Sequence, residues 1–187
     1  MIFKETPIAG AHLIEPEPIR DGRGYFTRTW CQYEFESRGL NAALVQCSTS
    51  FNALTGTLRG IHFQAPPHME AKLVRCTRGA LFDVIVDMRK DSASYGDWAG
   101  FELTADNGHM VYMPEGVAHG FQTLAPETEI FYQISTHYAP DYAAGIRWDD
   151  PDLGVEWPVA GKRIISKRDA GLPYFSNTTS LSCRARH

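Results

Sequence analysis

Gly56 to Lys72 reads GTLRGIHFQAPPHMEAK, a short span that brings Arg59, His62, His68, Glu70 and Lys72 together. An imidazole ordinarily titrates near neutrality, so His62 can accept and return a proton without large tuning. Lys72, and His119 further on, can stabilise a negative oxygen, while Tyr132 can supply a phenolic proton from another wall. Each of these groups also has an ordinary structural account. His62 can be a hydrogen-bonded core histidine, Lys72 an edge residue, Tyr132 a core aromatic and His119 a turn-packing group. Jointly, so many polar groups on strands of one small barrel point to a metal-free acid–base site.

The rival chemistry is metal-based. Gly108-x5-Pro114-x-Gly116-x-x-His119 has the spacing of the second cupin motif, a turn between two jelly-roll strands with a histidine projecting inward. The matching first motif would place two histidines one residue apart. Here His62 is followed by Phe63 and Gln64, so the usual metal pair is broken. A metal would need His62 and His119 with His68 or Glu70 in unusual geometry.

The elements that must position these groups are short and extended. Pro66 and Pro67 forbid a helix, so the span reads as strand, loop and the start of another strand. On a regular strand Leu58, Gly60, His62 and Gln64 share one face, and Arg59, Ile61 and Phe63 the other. Two short extended pieces occupy residues 1–29 around the Asp21-Gly22-Arg23-Gly24 turn, and Tyr33 to Arg38 reads as a short helix ending at Gly39. Ala43 to Phe51 reads as a strand with Val45 in the core. Ala71–Thr77 and Ala80–Met88 flank Arg78-Gly79 as a hairpin, the second run apolar enough to be buried on both faces. Strands follow over Trp98–Thr104, His109–Met113, Gly120–Leu124 and Glu129–Thr136. Such spacing, punctuated by Gly, Pro and Asn-Gly, predicts an all-β sandwich or barrel. From Ala139 the pattern weakens into loops that Trp148 and Trp157 pin onto the sheets.

With 187 residues and 43% hydrophobic content, one domain over residues 1–175 can bury a core. The polar stretch 176–187 is expected to be disordered. A net charge of −4 argues against nucleic acid or a membrane surface as partner, so an anionic partner should be small and held by a few placed cations. Cys31, Cys47, Cys76 and Cys183 show no metal spacing and read as free thiols of a cytoplasmic protein. No signal peptide or long apolar run suggests export or membrane insertion.

Taken together, GTLRGIHFQ, KLVRC, FDVIVDMR, PEGVAHGF, IRWDDPDLGVEWP and ISKRD resemble the RmlC family, the dTDP-4-dehydrorhamnose 3,5-epimerases. The resemblance runs from about Arg20 to Asp169. It implies a cupin-type jelly roll (double-stranded β-helix) with short peripheral helices, a homodimer with strands packed across the interface, and no metal or organic cofactor. It further implies that His62 is the catalytic base and Asp169 the carboxylate that orients it. Tyr132 resembles the acid acting from the opposite face, and Lys72 the group that stabilises an enolate oxygen. Arg59 and His119 resemble substrate-binding neighbours, Arg23 the arginine that meets the nucleotide's phosphates. Phe26, Arg28, Gln46, Tyr138 and Arg168 fall at the family's remaining substrate-binding positions.

The implied partner is a nucleotide-diphosphate 4-keto sugar. Its C4 ketone acidifies the C3 and C5 protons, and a base on one face with an acid on the other turns removal and return into inversion. Departures gather around the nucleotide: Arg28 stands where the family usually has Glu, Gln46-Cys47-Ser48 where it has Gln-Asp-Asn, Ala143 where it has Glu, and Arg168 where it has Lys. Such changes can redirect specificity and leave the chemistry intact. A CDP- or GDP-linked sugar, and inversion at one carbon only, therefore stand beside the thymidine reading. A silent nucleotide-sugar binder and a metal-dependent cupin are the rivals from other classes.

Overall fold

A computed structural model describes residues 1–159 and 163–178. Its elements in chain order are β1 (Ile2–Glu5), β2 (His12–Glu15), β3 (Ile19–Asp21), β4 (Gly24–Phe26), α1 (Gln32–Glu36), β5 (Gln46–Asn52), β6 (Leu58–Gln64) and β7 (Lys72–Arg78). They continue with β8 (Ala80–Asp87), β9 (Trp98–Thr104), β10 (Met110–Met113), β11 (Val117–Thr123), β12 (Thr128–Ile134), β13 (Ala143–Gly145), α2 (Lys167–Ala170) and α3 (Phe175–Thr178). A six-stranded sheet in the order β1-β2-β10-β7-β12-β5 faces a five-stranded sheet in the order β13-β6-β11-β8-β9. All the named pairings are antiparallel, and consecutive strands repeatedly change sheet, which makes this the expected jelly roll.

The core lies between the sheets. Val74, Cys76, Val111 and Ile130 of one meet Leu81, Ile85, Leu103 and Phe121 of the other. Both sheets are also covered outside, which is why strands such as β8 carry near-continuous apolar runs. Phe35 of α1 covers Ile14, Leu73 and Met110, while Leu153 and Trp157 cover Ile61, Val84 and Ala118, with Trp148 packed alongside. The two tryptophans thus pin the C-terminal segment as expected.

Several local expectations change. Arg78-Gly79 is not a hairpin turn: β7 pairs with β10 and β12 and β8 with β9 and β11, so the turn carries the chain between sheets. Gly79 has φ +75, and a Cβ there would meet Thr128, which is why this crossing needs glycine. Val45 is 41% exposed rather than core, because it precedes β5, the edge strand of its sheet. Residues 176–178 close α3; residues 179–187, the rest of the stretch expected to be disordered, lie outside the described residues.

The alternation on β6 breaks at Gly60. His119 stands opposite His62 and Phe121 opposite Arg59, so Gly60 and Ile61 together span the place of Gly120 alone. This bulge brings Arg59 to the side of His62, although three residues apart they would face opposite ways on a regular strand. Only glycine fits there. Gly60 has φ +115, and a Cβ would stand 2.6 Å from the Gly120 Cα and 2.8 Å from the His119 carbonyl oxygen.

Candidate active site

A cavity of about 850 Å³ opens at one end of the sandwich, between β5, β6, β7, β11, β12 and α2. Its size suits a ligand of drug-like or nucleotide-like bulk. Among the sequence-predicted residues, His62, Lys72, Tyr132, Asp169, Arg59, His119, Gln46, Tyr138 and Arg168 all line it. Arg23, Phe26 and Arg28 do not. They belong to or follow the separate β3–β4 hairpin, where Arg23 forks onto Asp21 and Arg28 pairs with Glu34.

His62 Nε2 lies 2.8 Å from Asp169 Oδ1. Ser166 caps α2 by accepting the Asp169 N–H, and the Gly60 N–H donates to Asp169 Oδ2 at 3.3 Å. The bulge therefore turns Arg59 inward and also presents a backbone donor to the carboxylate. Burial pushes the Asp169 carboxyl up, but the His62 hydrogen bond and charge, with Gly60 and Ser166, outweigh it and hold it below the usual range. With Asp169 ionised, Nε2 carries the ring hydrogen and Nδ1 the lone pair. That tautomer is a base.

Across the cavity Tyr132 stands edge-on to His119, with ring centroids 5.8 Å apart. Burial drives its phenol pKa upward, the Asp83 charge adds to this, and Arg59 opposes it. The phenol accordingly stays protonated through the neutral range, as a proton donor must. Arg59 is steadied by Asn52, whose Oδ1 accepts from Nε at 2.8 Å. His119 is held by Asp83, Nε2 to Oδ1 at 2.6 Å. Asp83 has no exposure and its Oδ2 finds no partner among the described residues; burial raises its pKa against the opposing charges of His119 and Lys72. Lys72 is 8% exposed and its Nζ meets Glu70 Oε1 at 2.6 Å.

Three partners escaped sequence reasoning. Asp83 sits in an apolar strand read as buried on both faces, and a carboxylate in the middle of such a run was the available signal. Glu70 figured only as a metal-ligand candidate, yet it stands two residues before Lys72, the spacing that puts extended-chain neighbours on one face. Asn52 gave no signal. The cavity is also lined by Gln46, Ser48, Ser50 and Ala143, all uncharged, and Gln46 Oε1 accepts the Tyr138 N–H at 2.9 Å.

The family model described as dTDP-4-dehydrorhamnose 3,5-epimerase matches residues 5–177. The enzyme of that name from Methanothermobacter thermautotrophicus is 44% identical over 169 residues, 89% of this chain and 90% of its own length. The crystal structure of the Elizabethkingia anophelis enzyme superposes with a TM-score of 0.92 at 35% identity, covering 95% of this chain and 97% of that one. The Bacillus anthracis enzyme, crystallised with TDP and PPi bound, gives a TM-score of 0.88 at 40% identity over 92% of this chain and 99% of that one.

Proposed function

The chain belongs to the dTDP-4-dehydrorhamnose 3,5-epimerase family, and from that premise we propose how its cavity works. The protein is an epimerase that converts dTDP-4-dehydro-6-deoxy-D-glucose to dTDP-4-dehydro-L-rhamnose by inversion at C3 and C5. The observation that carries the residue assignment is one cavity holding an Asp169-oriented imidazole, a fixed ammonium and a half-buried phenol.

His62 Nδ1 takes the proton from the carbon beside the C4 ketone. The C–H electron pair moves to the C4 oxygen as an enolate, which Lys72 stabilises by charge and hydrogen bonding. Tyr132 then delivers its phenolic proton to the carbon from the opposite face, closing the C–H bond with inverted configuration; Tyr132 regains a proton from solvent and His62 releases to solvent the one it took. Asp169 stabilises the imidazolium formed in between, as a carboxylate does for a histidine base. Arg59 and Arg168 suit a diphosphate through bidentate contacts, and Tyr138, 57% exposed at the mouth, offers a face to the base.

The working unit is a homodimer in the cytoplasm. Among the described residues the β3–β4 hairpin pairs with no other strand, and Ile19, Tyr25 and Phe26 stand 72%, 60% and 73% exposed on it. Apolar side chains held out in this way on an unsupported hairpin want a partner surface. A second copy would receive Arg23, Phe26 and Arg28 at its cavity mouth, which accounts for their distance from their own.

Proton NMR in heavy water with dTDP-4-dehydro-6-deoxy-D-glucose tests the reading. Deuterium should enter at C3 and C5 with the native protein and at neither with His62→Ala. Exchange at one position only would reduce the activity to a single inversion. Exchange with a CDP- or GDP-linked sugar alone would move the specificity to that nucleotide, and no exchange with any of them would sink the enzyme.

A further inference from the structure

Lys72 is gripped by a carboxylate to which the acid–base scheme gives no part. Glu70 keeps only 10% of its side chain exposed and sets Oε1 2.6 Å from Lys72 Nζ. Its other oxygen, Oε2, accepts from Gln64 Nε2 at 3.0 Å. Gln64, 3% exposed, is itself fixed: Nε2 also donates to the carbonyls of His68 at 3.0 Å and His137 at 3.3 Å, and Oε1 accepts the Ala139 N–H at 2.6 Å. The amide cannot flip without setting donor against donor at Ala139 and acceptor against acceptor at Glu70. A single chain of hydrogen bonds thus runs from the backbone beside Tyr138, through Gln64 and Glu70, to the Lys72 ammonium.

A lysine side chain has rotamer entropy to lose when it is held in one geometry. A charge-assisted bond to a carboxylate that cannot itself turn removes that cost before substrate arrives. Geometry of this kind matters for an ammonium that must meet a charge appearing on oxygen only during reaction. We propose that Glu70, locked by Gln64, is the positioning residue that aims Lys72 at the substrate's C4 oxygen, and that it ties this aim to the 137–139 segment. The inference rests on the enolate-stabilising role given to Lys72 above.

A double-mutant cycle on the full chain tests it, read as the rate of deuterium entry at C3 and C5 and the affinity for dTDP. Glu70→Ala should slow exchange by about 10- to 100-fold, the scale set by small misplacements of a reacting group. Affinity for dTDP should stay within about threefold, because binding shared by ground and transition states is untouched. Glu70→Gln, whose amide oxygen still accepts from Lys72, should fall between and serves if Glu70→Ala does not fold. In a Lys72→Ala background, either Glu70 substitution should change nothing further. Losses that multiply in the double variant, or dTDP affinity falling in step with rate, overturn the positioning role and leave the epimerase reading standing. A Lys72→Ala protein exchanging at the native rate overturns the role of Lys72 and the proposal with it.

Discussion

Replacing Asp169 by Asn should be worse than replacing it by Ala, and the bulge at Gly60 is the reason. One carboxylate oxygen faces His62 Nε2 at 2.8 Å and the other accepts the Gly60 N–H at 3.3 Å. An amide at this place must keep its oxygen toward Gly60, since an NH₂ there would meet another donor. Its NH₂ then faces His62 and donates to Nε2, which forces the ring hydrogen onto Nδ1. The nitrogen turned to substrate becomes a donor and no longer a base. Loss of the carboxylate charge alone removes a hydrogen bond to an ionised group worth about 1.5–3 kcal/mol. His62 keeps 39% of its side chain exposed, so solvent screens the pair and the lower part of that range, about 2 kcal/mol, applies. That amounts to roughly 30-fold in rate.

Asp169→Ala should therefore exchange C3 and C5 protons roughly 30-fold slower than the native protein. Asp169→Asn should lose about 100-fold or more, because the wrong tautomer is added to the lost charge. The rates come from NMR in heavy water, with dTDP affinity by calorimetry as the control for an intact cavity. An Asn variant as active as the Ala variant, or more so, would refute the tautomer reasoning even if both were impaired.

Two further outcomes follow from groups outside the chemistry. Asp87 is fully buried; burial pushes its carboxyl up, but Arg89, Ser92 and Ser94 hydrogen bonds overcome this and bring it down to about 2. A folded pKa below the ordinary carboxylate value means the stabilisation is present above about pH 4 and lost as pH falls toward about 2. Asp87→Asn should thus cost about 2 kcal/mol at neutral pH, roughly 4–8 °C in Tm, with the gap to the native protein closing under acid; a gap that stays constant on acidification would discard the linkage. Phe26→Asp on the exposed hairpin should halve the mass seen by light scattering and weaken dTDP binding, and a variant that remains dimeric would remove the hairpin from the interface.

The sequence made regular strands legible because their period is a property of the chain alone. β6, β8, β9 and β12 fall within a few residues of where alternation and turn residues put them. It failed where the outcome depends on a neighbour. Arg59 turns inward because β11 passes so close to Gly60 that the strand must bulge, and nothing in LRGIH announces the approach of Gly120. Arg78-Gly79 looks like any hairpin turn, since a turn's residues fix its bend and not which sheet the next strand joins. Motif resemblance brought His62, Lys72, Tyr132 and Asp169 together across more than a hundred positions of chain, which no local pattern could do. It was silent on Glu70 and Asp83. Both are carboxylates with little or no exposure in a site whose named roles all go to other groups, and a buried charge persists only where it is paired. Glu70 has its pair in Lys72. Among the described residues Asp83 has His119 for one oxygen and nothing for the other; burial first, and then the Asp83 charge, raise the cost of a negative charge on Tyr132 and favour the phenol as donor over the phenolate as base. Proton flow from the substrate to His62, and back to the substrate from Tyr132, is thus favoured by a carboxylate to which the resemblance gave no role.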